Sequence, residues 1–380
     1  MITPDYAIGA RWVFDGVNLR ENMAVVVGGD RIVCVVPRAD APPVAPVHDL
    51  ANNLWLAPGF IDIQVNGGGD ALFNDAPTPE TIRAIVVAHR RFGTTALLPT
   101  LISDSAAKMG SALAAVETIS EVEPGVLGIH LEGPFLSPDK AGIHDPRSIR
   151  LPTADDVAVL TIKRRGVTLV TLAPEQVPAG MIAKLAAAGV RVALGHSMAT
   201  YDQTVAAMAE GLDGFTHLFN AMRPLGTREP GPIAAALESS NAWYGLIADG
   251  IHVSPAMLRL ALRGAGHPML VTDAMPPVGG TRSSFSLNGD TIIARDGCCR
   301  RGDGVLAGAY LDMATAVRNC VRLLNVPLTD ALRFASTYPA AFLGLDDRLG
   351  RIAAGYRADM VALDGAKIEA VQTWVAGAPQ

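Results

Sequence analysis

Eight short apolar runs recur through the middle of the chain, and helical segments lie between most of them. This rhythm limits the fold more than any other feature. The runs are GFIDIQV, TTALLPT, GVLGIHLE, VTLVTLA, RVALGHS, GFTHLFN, WYGLIAD and PMLVTDA. In TPETIRAIVVAHRRFG, Thr78 is placed to cap a helix, Pro79 suits its first position and Gly93 its end. Ile82, Ile85, Val86 and His89 repeat there at helical spacing. SPAMLRLALRGAG repeats the Ser-Pro start, with Met257, Leu258, Ala261 and Leu262 on one face, and MATYDQTVAAMAEG and PAGMIAKLAAAG also end in glycine. Eight buried strands alternating with helices predict an α/β fold, a closed (β/α)8 TIM barrel over residues 57–349. The rival is a doubly wound open sheet, but NGGGD after the first run lacks the G-x-G-x-x-G spacing and opens no helix.

The two ends of the chain are written differently. MAVVVGGDRIVCVVP reads as two strands joined at Gly28-Gly29-Asp30, a hairpin signal. GRIAAGYRADMVALDG and IEAVQTWVAG return to the same style near the end. Residues 1–56 and 350–380 are therefore expected to build one small β-sandwich from both termini. With 380 residues, 49% of them hydrophobic, the chain has enough apolar material for a barrel and such a satellite.

A net charge of −6 argues against a nucleic-acid binder, which needs a basic face, but leaves room for a small anionic substrate. Cys34, Cys298, Cys299 and Cys320 include no C-x-x-C pair, so neither a disulfide framework nor a thiolate zinc site is expected. MITPDYAIGARW lacks the basic start and apolar core of a signal peptide, and no apolar run reaches about 18 residues. The expectation is a cytoplasmic protein with no membrane span.

In such barrels the reacting groups gather at the C-terminal ends of strands. Read at those ends, the first run offers Gln64 and Asn66, the third Glu132, the fifth His196, the sixth His217, the seventh Asp249 and the eighth Asp273. The second and fourth end in Thr100 and Ala173, without a titratable group. A single strand-end histidine is commonly a hydrogen-bonded core residue. Two histidines and a glutamate opening onto one mouth are different, because a carboxylate buried there unpaired is costly and a divalent cation offsets that cost. Glu132, His196 and His217 are the candidate metal ligands, and the vacant fourth position of such a set belongs to a catalytic site.

Asp273, taken alone a turn or cap residue, becomes over that mouth a carrier of the water proton. His144, on the loop after Glu132, is placed to stabilise an oxyanion; Ile143 beside it is given no role. Arg228 in GTREPGP and His252 in ADGIHVSP lie just beyond strands six and seven, where they could meet an anion, the guanidinium fork being suited to phosphate.

The motifs HLEGPFLSPDKAGIHDP, LGHSMATYDQT, GFTHLFNAMRPL, REPGP, ADGIHVSP and VTDAMPPVGG together resemble the N-acetylglucosamine-6-phosphate deacetylase family of the amidohydrolase superfamily. The resemblance spans about Ala57 to Ala309, and GRIAAGYRADMVALD is similar to the superfamily's tail. It implies a metal-dependent barrel with a terminal β-sandwich. It implies hydrolysis of the acetamide of N-acetyl-D-glucosamine 6-phosphate, with Glu132, His196 and His217 on the metal, Asp273 as base and acid, and His144 polarising the acetyl carbonyl. It implies sugar-phosphate contacts from Asn220 and Ala221 and phosphate contacts from Arg228 and His252, one of these two crossing from a neighbouring subunit of a homodimer. Gln64 and Asn66 are counted with the substrate contacts.

Many superfamily relatives carry His-x-His where this chain reads Gln64-Val65-Asn66. Neutral amides are poor zinc ligands, so one divalent ion per subunit is expected, with zinc first and iron, cobalt or manganese as alternatives. The segment over 281–305 reads as a hairpin turning at NGD, with Arg300 and Arg301 in solvent. Relatives on this frame also open cyclic amides and deaminate bases, and the fold alone does not choose between them. A barrel reduced to a binding module would have lost one of Glu132, His196, His217 or Asp273, and all four are present.

Overall fold

All eight apolar runs become strands of one parallel sheet. In this computed structural model they are β1 (Phe60–Val65), β2 (Thr94–Ile102), β3 (Gly128–Glu132), β4 (Val167–Leu172), β5 (Arg191–Leu194), β6 (Gly214–Phe215), β7 (Trp243–Leu246) and β8 (His267–Leu270). Each strand pairs with its sequence neighbour, from β1 to β8. β1, β2 and β3 are buried along their whole length, as strands covered on both faces must be. The ring closes just past β8, where the Asp273 N–H donates to the Gln64 carbonyl and the Asn66 N–H to the Ala274 carbonyl, both at 3.0 Å. The described residues are 3–43 and 46–380; Met1, Ile2, Val44 and Ala45 of the predicted terminal segment lie outside them.

The helix signals are met. The Pro79–Arg90 helix starts after Thr78, whose hydroxyl accepts from the Thr81 N–H at 3.3 Å, and gives way to Gly93 at φ +85°. The Tyr201–Ala209 helix opens on a capping box between Thr200 and Gln203, and Ala154–Leu160 on another between Thr153 and Asp156. The Asp156 carboxylate also takes a two-pronged bond from Arg150 at 2.6 and 2.7 Å.

The termini form a separate eight-stranded sheet. Its order is Ala378–Pro379, Glu369–Val375, Met360–Asp364, Leu54–Pro58, Tyr6–Phe14, Leu19–Gly28 and Arg31–Pro37, with Val47–Asp49 paired to Tyr6–Phe14. The three C-terminal strands thus join the N-terminal ones in one sheet where Met360–Asp364 pairs with Leu54–Pro58, and the hairpin turns at Gly29-Asp30 as expected. Ile32 at one end of the order and Trp374 near the other share a core with Ile8, Val25, Leu56 and Met360, so the sheet curls over itself as a sandwich does.

Residues beyond β8 depart from the expected single hairpin. Four antiparallel strands, Ser284–Leu287, Asp290–Arg295, Cys298–Arg301 and Leu306–Ala309, form a small sheet of their own. Its first turn is Asn288-Gly289, both at positive φ, which matches the twist of a two-residue hairpin. Its apolar face, with Leu287, Ile292, Cys299 and Ala307, packs on Leu72, Ile102 and Met275. Arg300 is exposed, and Arg301 pairs with Asp303 and Asp290.

All four cysteines are free, and among the described residues no helix is long and apolar enough to cross a membrane. The chain divides into two compact units. One is Met1–Asp62 with Val87–Ala96 and Asp312–Gln380; the other is Ile63–Val86 with Leu97–Leu311 and contains every residue of the site below.

Candidate active site

Side chains alternate along a strand, so His130 and Glu132 on β3 face the same way, into the ring. His130 is the deeper of the two. Its Nε2 lies 2.7 Å from the Thr171 hydroxyl, which is 2.6 Å from that of Thr216, and burial lowers its pKa to about 4. It is a neutral core histidine in a polar layer beneath the site.

Glu132, one step higher, meets two imidazoles. Its Oε1 is 3.0 Å from His196 Nε2 and 2.9 Å from His217 Nε2, and those two nitrogens are 3.1 Å apart. All three residues are buried. His196 Nδ1 donates to the Lys140 carbonyl at 2.7 Å, because a carbonyl can only accept, so a neutral His196 turns a bare Nε2 toward Glu132. A carboxylate oxygen and imidazole lone pairs converging this closely repel unless positive charge lies between them. Burial raises the pKa of Glu132, but bonds to His144, His196 and His217 outweigh it and hold the carboxyl well below its ordinary range. Burial lowers the pKa of His217, yet its bond to Glu132 outweighs this and raises it. The field therefore asks for a cation at this point. The donor set, two nitrogens and one carboxylate oxygen, suits a divalent metal ion.

Three elements aim these side chains through backbone that most residues avoid. His196 (φ +48°), His217 (+32°) and Asp273 (+50°) all lie in the left-handed region, as do Phe219 (+80°) and Ala221 (+47°). Such positions cost on the order of 1–3 kcal/mol each and persist where the surroundings dictate them, commonly at active sites. Gly195 leaves room for this bend: a Cβ there would stand 2.5 Å from Thr171 Cγ2.

Asp273 sits beside the cluster and receives two amides. Asn66 Nδ2 donates to its Oδ1 at 2.6 Å, and Gln64 Nε2 spans Asp273 Oδ1 (3.3 Å) and Glu132 Oε2 (3.2 Å). Burial and the nearby Glu132 charge push the Asp273 carboxyl up to about 6; a dication beside Glu132 acts in the opposite direction. His144 is buried with Nε2 3.8 Å from Glu132 Oε1 and its ring edge-on to His196 at 4.4 Å. His252 donates from Nδ1 to Asp249 Oδ2 at 2.5 Å, and the other Asp249 oxygen accepts the backbone N–H groups of Ile251 and His252.

These groups share one cavity of about 210 Å³. Every candidate from the sequence lines it except Gln64, Arg228 and Asp249, the last of which stands behind His252. Gln64 was expected at the substrate but lies behind the wall, holding two carboxylates. Arg228 is exposed on its loop. Ile143, given no role above, is on the wall with Ile102, Ile247, Met275 and Leu306. The small antiparallel sheet reaches the cavity through Val305, Leu306 and Gly308, not through Arg300 or Arg301. Two positioning groups escaped the sequence reading, the Lys140 carbonyl and Ser103. β2 runs to Ile102, so its end lies past Thr100 and brings Ser103 under His144.

A model of the amidohydrolase family matches residues 55–379. The N-acetylgalactosamine-6-phosphate deacetylase of Shewanella sp. (strain ANA-3) is 42% identical over 377 residues, covering 98% of this chain and 94% of that protein. The N-acetylglucosamine-6-phosphate deacetylase of Haemophilus influenzae is 33% identical over 360 residues, covering 93% and 94%. The crystal structure of N-acetylglucosamine-6-phosphate deacetylase from Pasteurella multocida matches with a TM-score of 0.94 at 34% identity, over 99% of each chain.

Proposed function

The chain belongs to the amidohydrolase family, and from that premise we propose that it hydrolyses the acetamide of N-acetyl-D-glucosamine 6-phosphate to acetate and D-glucosamine 6-phosphate. The observation that carries this reading is the convergence of Glu132, His196 and His217 on one point, beside the carboxylate of Asp273 and inside one cavity. Glu132, His196 and His217 would hold a single divalent ion, zinc in the first place and iron, cobalt or manganese otherwise. When bound, such an ion supplies a water of lowered pKa and polarises the acetyl oxygen.

The chain's own residues do the rest. Asp273, oriented by Asn66 and Gln64, takes a proton from the attacking water and returns it to the departing amine. His144 donates to the carbonyl oxygen as negative charge builds there. Asn220 and Ala221 contact the sugar phosphate from the wall. His252, held by Asp249, meets the phosphate, and Arg228 does so across the interface of a homodimer, which fits its exposure in the single chain. On this reading residues 57–349 are the catalytic domain, 1–56 with 350–380 are the β-sandwich, and the enzyme works in the cytoplasm. One ion rather than two is supported by the amides of Gln64 and Asn66, which turn N–H donors toward the carboxylates where a second ion would need lone pairs. Elemental analysis of active protein giving two equivalents per chain would overturn that count.

The test is acetate release from N-acetylglucosamine with and without its 6-phosphate. A large gain in kcat/KM from the phosphate is expected; equal values would remove the substrate assignment. A second reading, the galactosamine counterpart, is favoured by the 42% identity to the Shewanella protein. Running both 6-phosphates, which differ only in configuration at C4, decides between them.

A further inference from the structure

Two imidazoles in edge contact on the cavity wall meet opposite backbone groups. His196 Nδ1 faces a carbonyl, that of Lys140, at 2.7 Å. His144 Nδ1 faces the Ser103 N–H, which donates to it at 3.2 Å, and the Ser103 hydroxyl oxygen lies 2.8 Å from the same nitrogen. An amide N–H can only donate, so His144 Nδ1 presents its lone pair and the ring hydrogen sits on Nε2. That nitrogen is the one facing Glu132 Oε1 at 3.8 Å. A metal ligand needs a bare nitrogen, and an oxyanion needs an N–H.

We propose that Ser103 is a positioning residue that fixes His144 as the Nε2–H tautomer, making it a hydrogen-bond donor into the cavity and keeping it out of the ligand set. One backbone group behind each ring thus sorts two neighbouring histidines into a ligand and a donor. The consequence for turnover rests on the deacetylase reading; the tautomer itself does not.

Long-range proton–nitrogen correlation spectra of the histidine rings test this, on metal-free and zinc-loaded protein, with His144→Gln identifying the His144 signals by their loss. The expected result is an unprotonated-type Nδ1 and a protonated-type Nε2 in both states. A protonated Nδ1, or an Nε2 that becomes metal-bound on loading, overturns the proposal. Ser103→Ala keeps the amide donor and loses the hydroxyl, so the tautomer should persist with shifted His144 signals. In that variant kcat should fall about 3- to 10-fold, the size of one lost hydrogen bond, with KM unchanged. Unshifted signals together with wild-type kcat would equally overturn the role of Ser103. Absence of acetate release from every hexosamine phosphate would sink the deacetylase reading and leave the tautomer to be decided by the spectra.

Discussion

Asp273 has no hydrogen-bond donor of its own when ionised, yet two amides point donors at it, and this fixes what its replacement should do. Asp273→Asn keeps the volume and loses the base; kcat is expected to fall by on the order of 10²–10⁴ with metal content unchanged, measured by acetate release and elemental analysis on one sample. Retained turnover would take Asp273 out of its role. Asp249 is a different case, since it touches the cavity only through His252. Asp249→Asn should raise KM for the phosphorylated sugar about 3- to 10-fold with a smaller change in kcat, and an unchanged KM would separate His252 from phosphate binding. The side chains that converge in the cavity, Glu132, His196, His217 and Asp273, were legible in the sequence because each is of distinctive type at or just past a strand end. Ser103 and Lys140 were not, because what they contribute is mainly a main-chain N–H and a main-chain carbonyl, which any residue type supplies. Gln64 was visible, but its direction was not: whether an amide faces a substrate or two carboxylates depends on the curvature of β1 against β3.

Among the elements, the eight strands were readable because burial on both faces leaves unbroken apolar runs, and the helices because their caps and terminal glycines punctuate them. The small antiparallel sheet was readable only in part. Asn288-Gly289 announced one hairpin; Asp296-Gly297, both at positive φ, and Gly302-Asp303-Gly304 carry the other two turns, and the register of Cys298–Arg301 with Leu306–Ala309 is shifted by an irregularity that no turn residue announces. The Ala154–Leu160 helix gives a test of stability. Its Asp156 serves the capping box and Arg150 together, and the Arg150 bond holds its pKa down at about 2. Because the folded value lies below the ordinary ~3.9, the stabilisation is complete above about pH 4 and is lost as the pH falls toward 2. Arg150 is partly exposed, so Asp156→Asn should cost only about 1–2 kcal/mol near pH 7. Urea titrations of both proteins should show that gap closing below pH 4; a constant gap would mean that the charge of Asp156 contributes nothing.

For the molecule as a whole, the proposed ion among the buried Glu132 and its two imidazoles would make stability depend on a cation. An ion held at a thousand times its Kd adds about 4 kcal/mol, which for a chain of 380 residues is a Tm change of about 5 °C. Chelation followed by dialysis should lower Tm by roughly that amount and zinc should restore it; a Tm indifferent to chelation would show that the cluster binds no ion tightly. The ring's closure carries a further consequence. Its seam includes the main-chain bonds from Asp273 to Gln64 and from Asn66 to Ala274, so the carboxylate proposed to carry the proton is anchored where the first and last staves meet. If the staves part, that carboxylate moves off the catalytic point along with the seam. On the proposed mechanism a half-assembled ring should therefore be inactive and not merely slow.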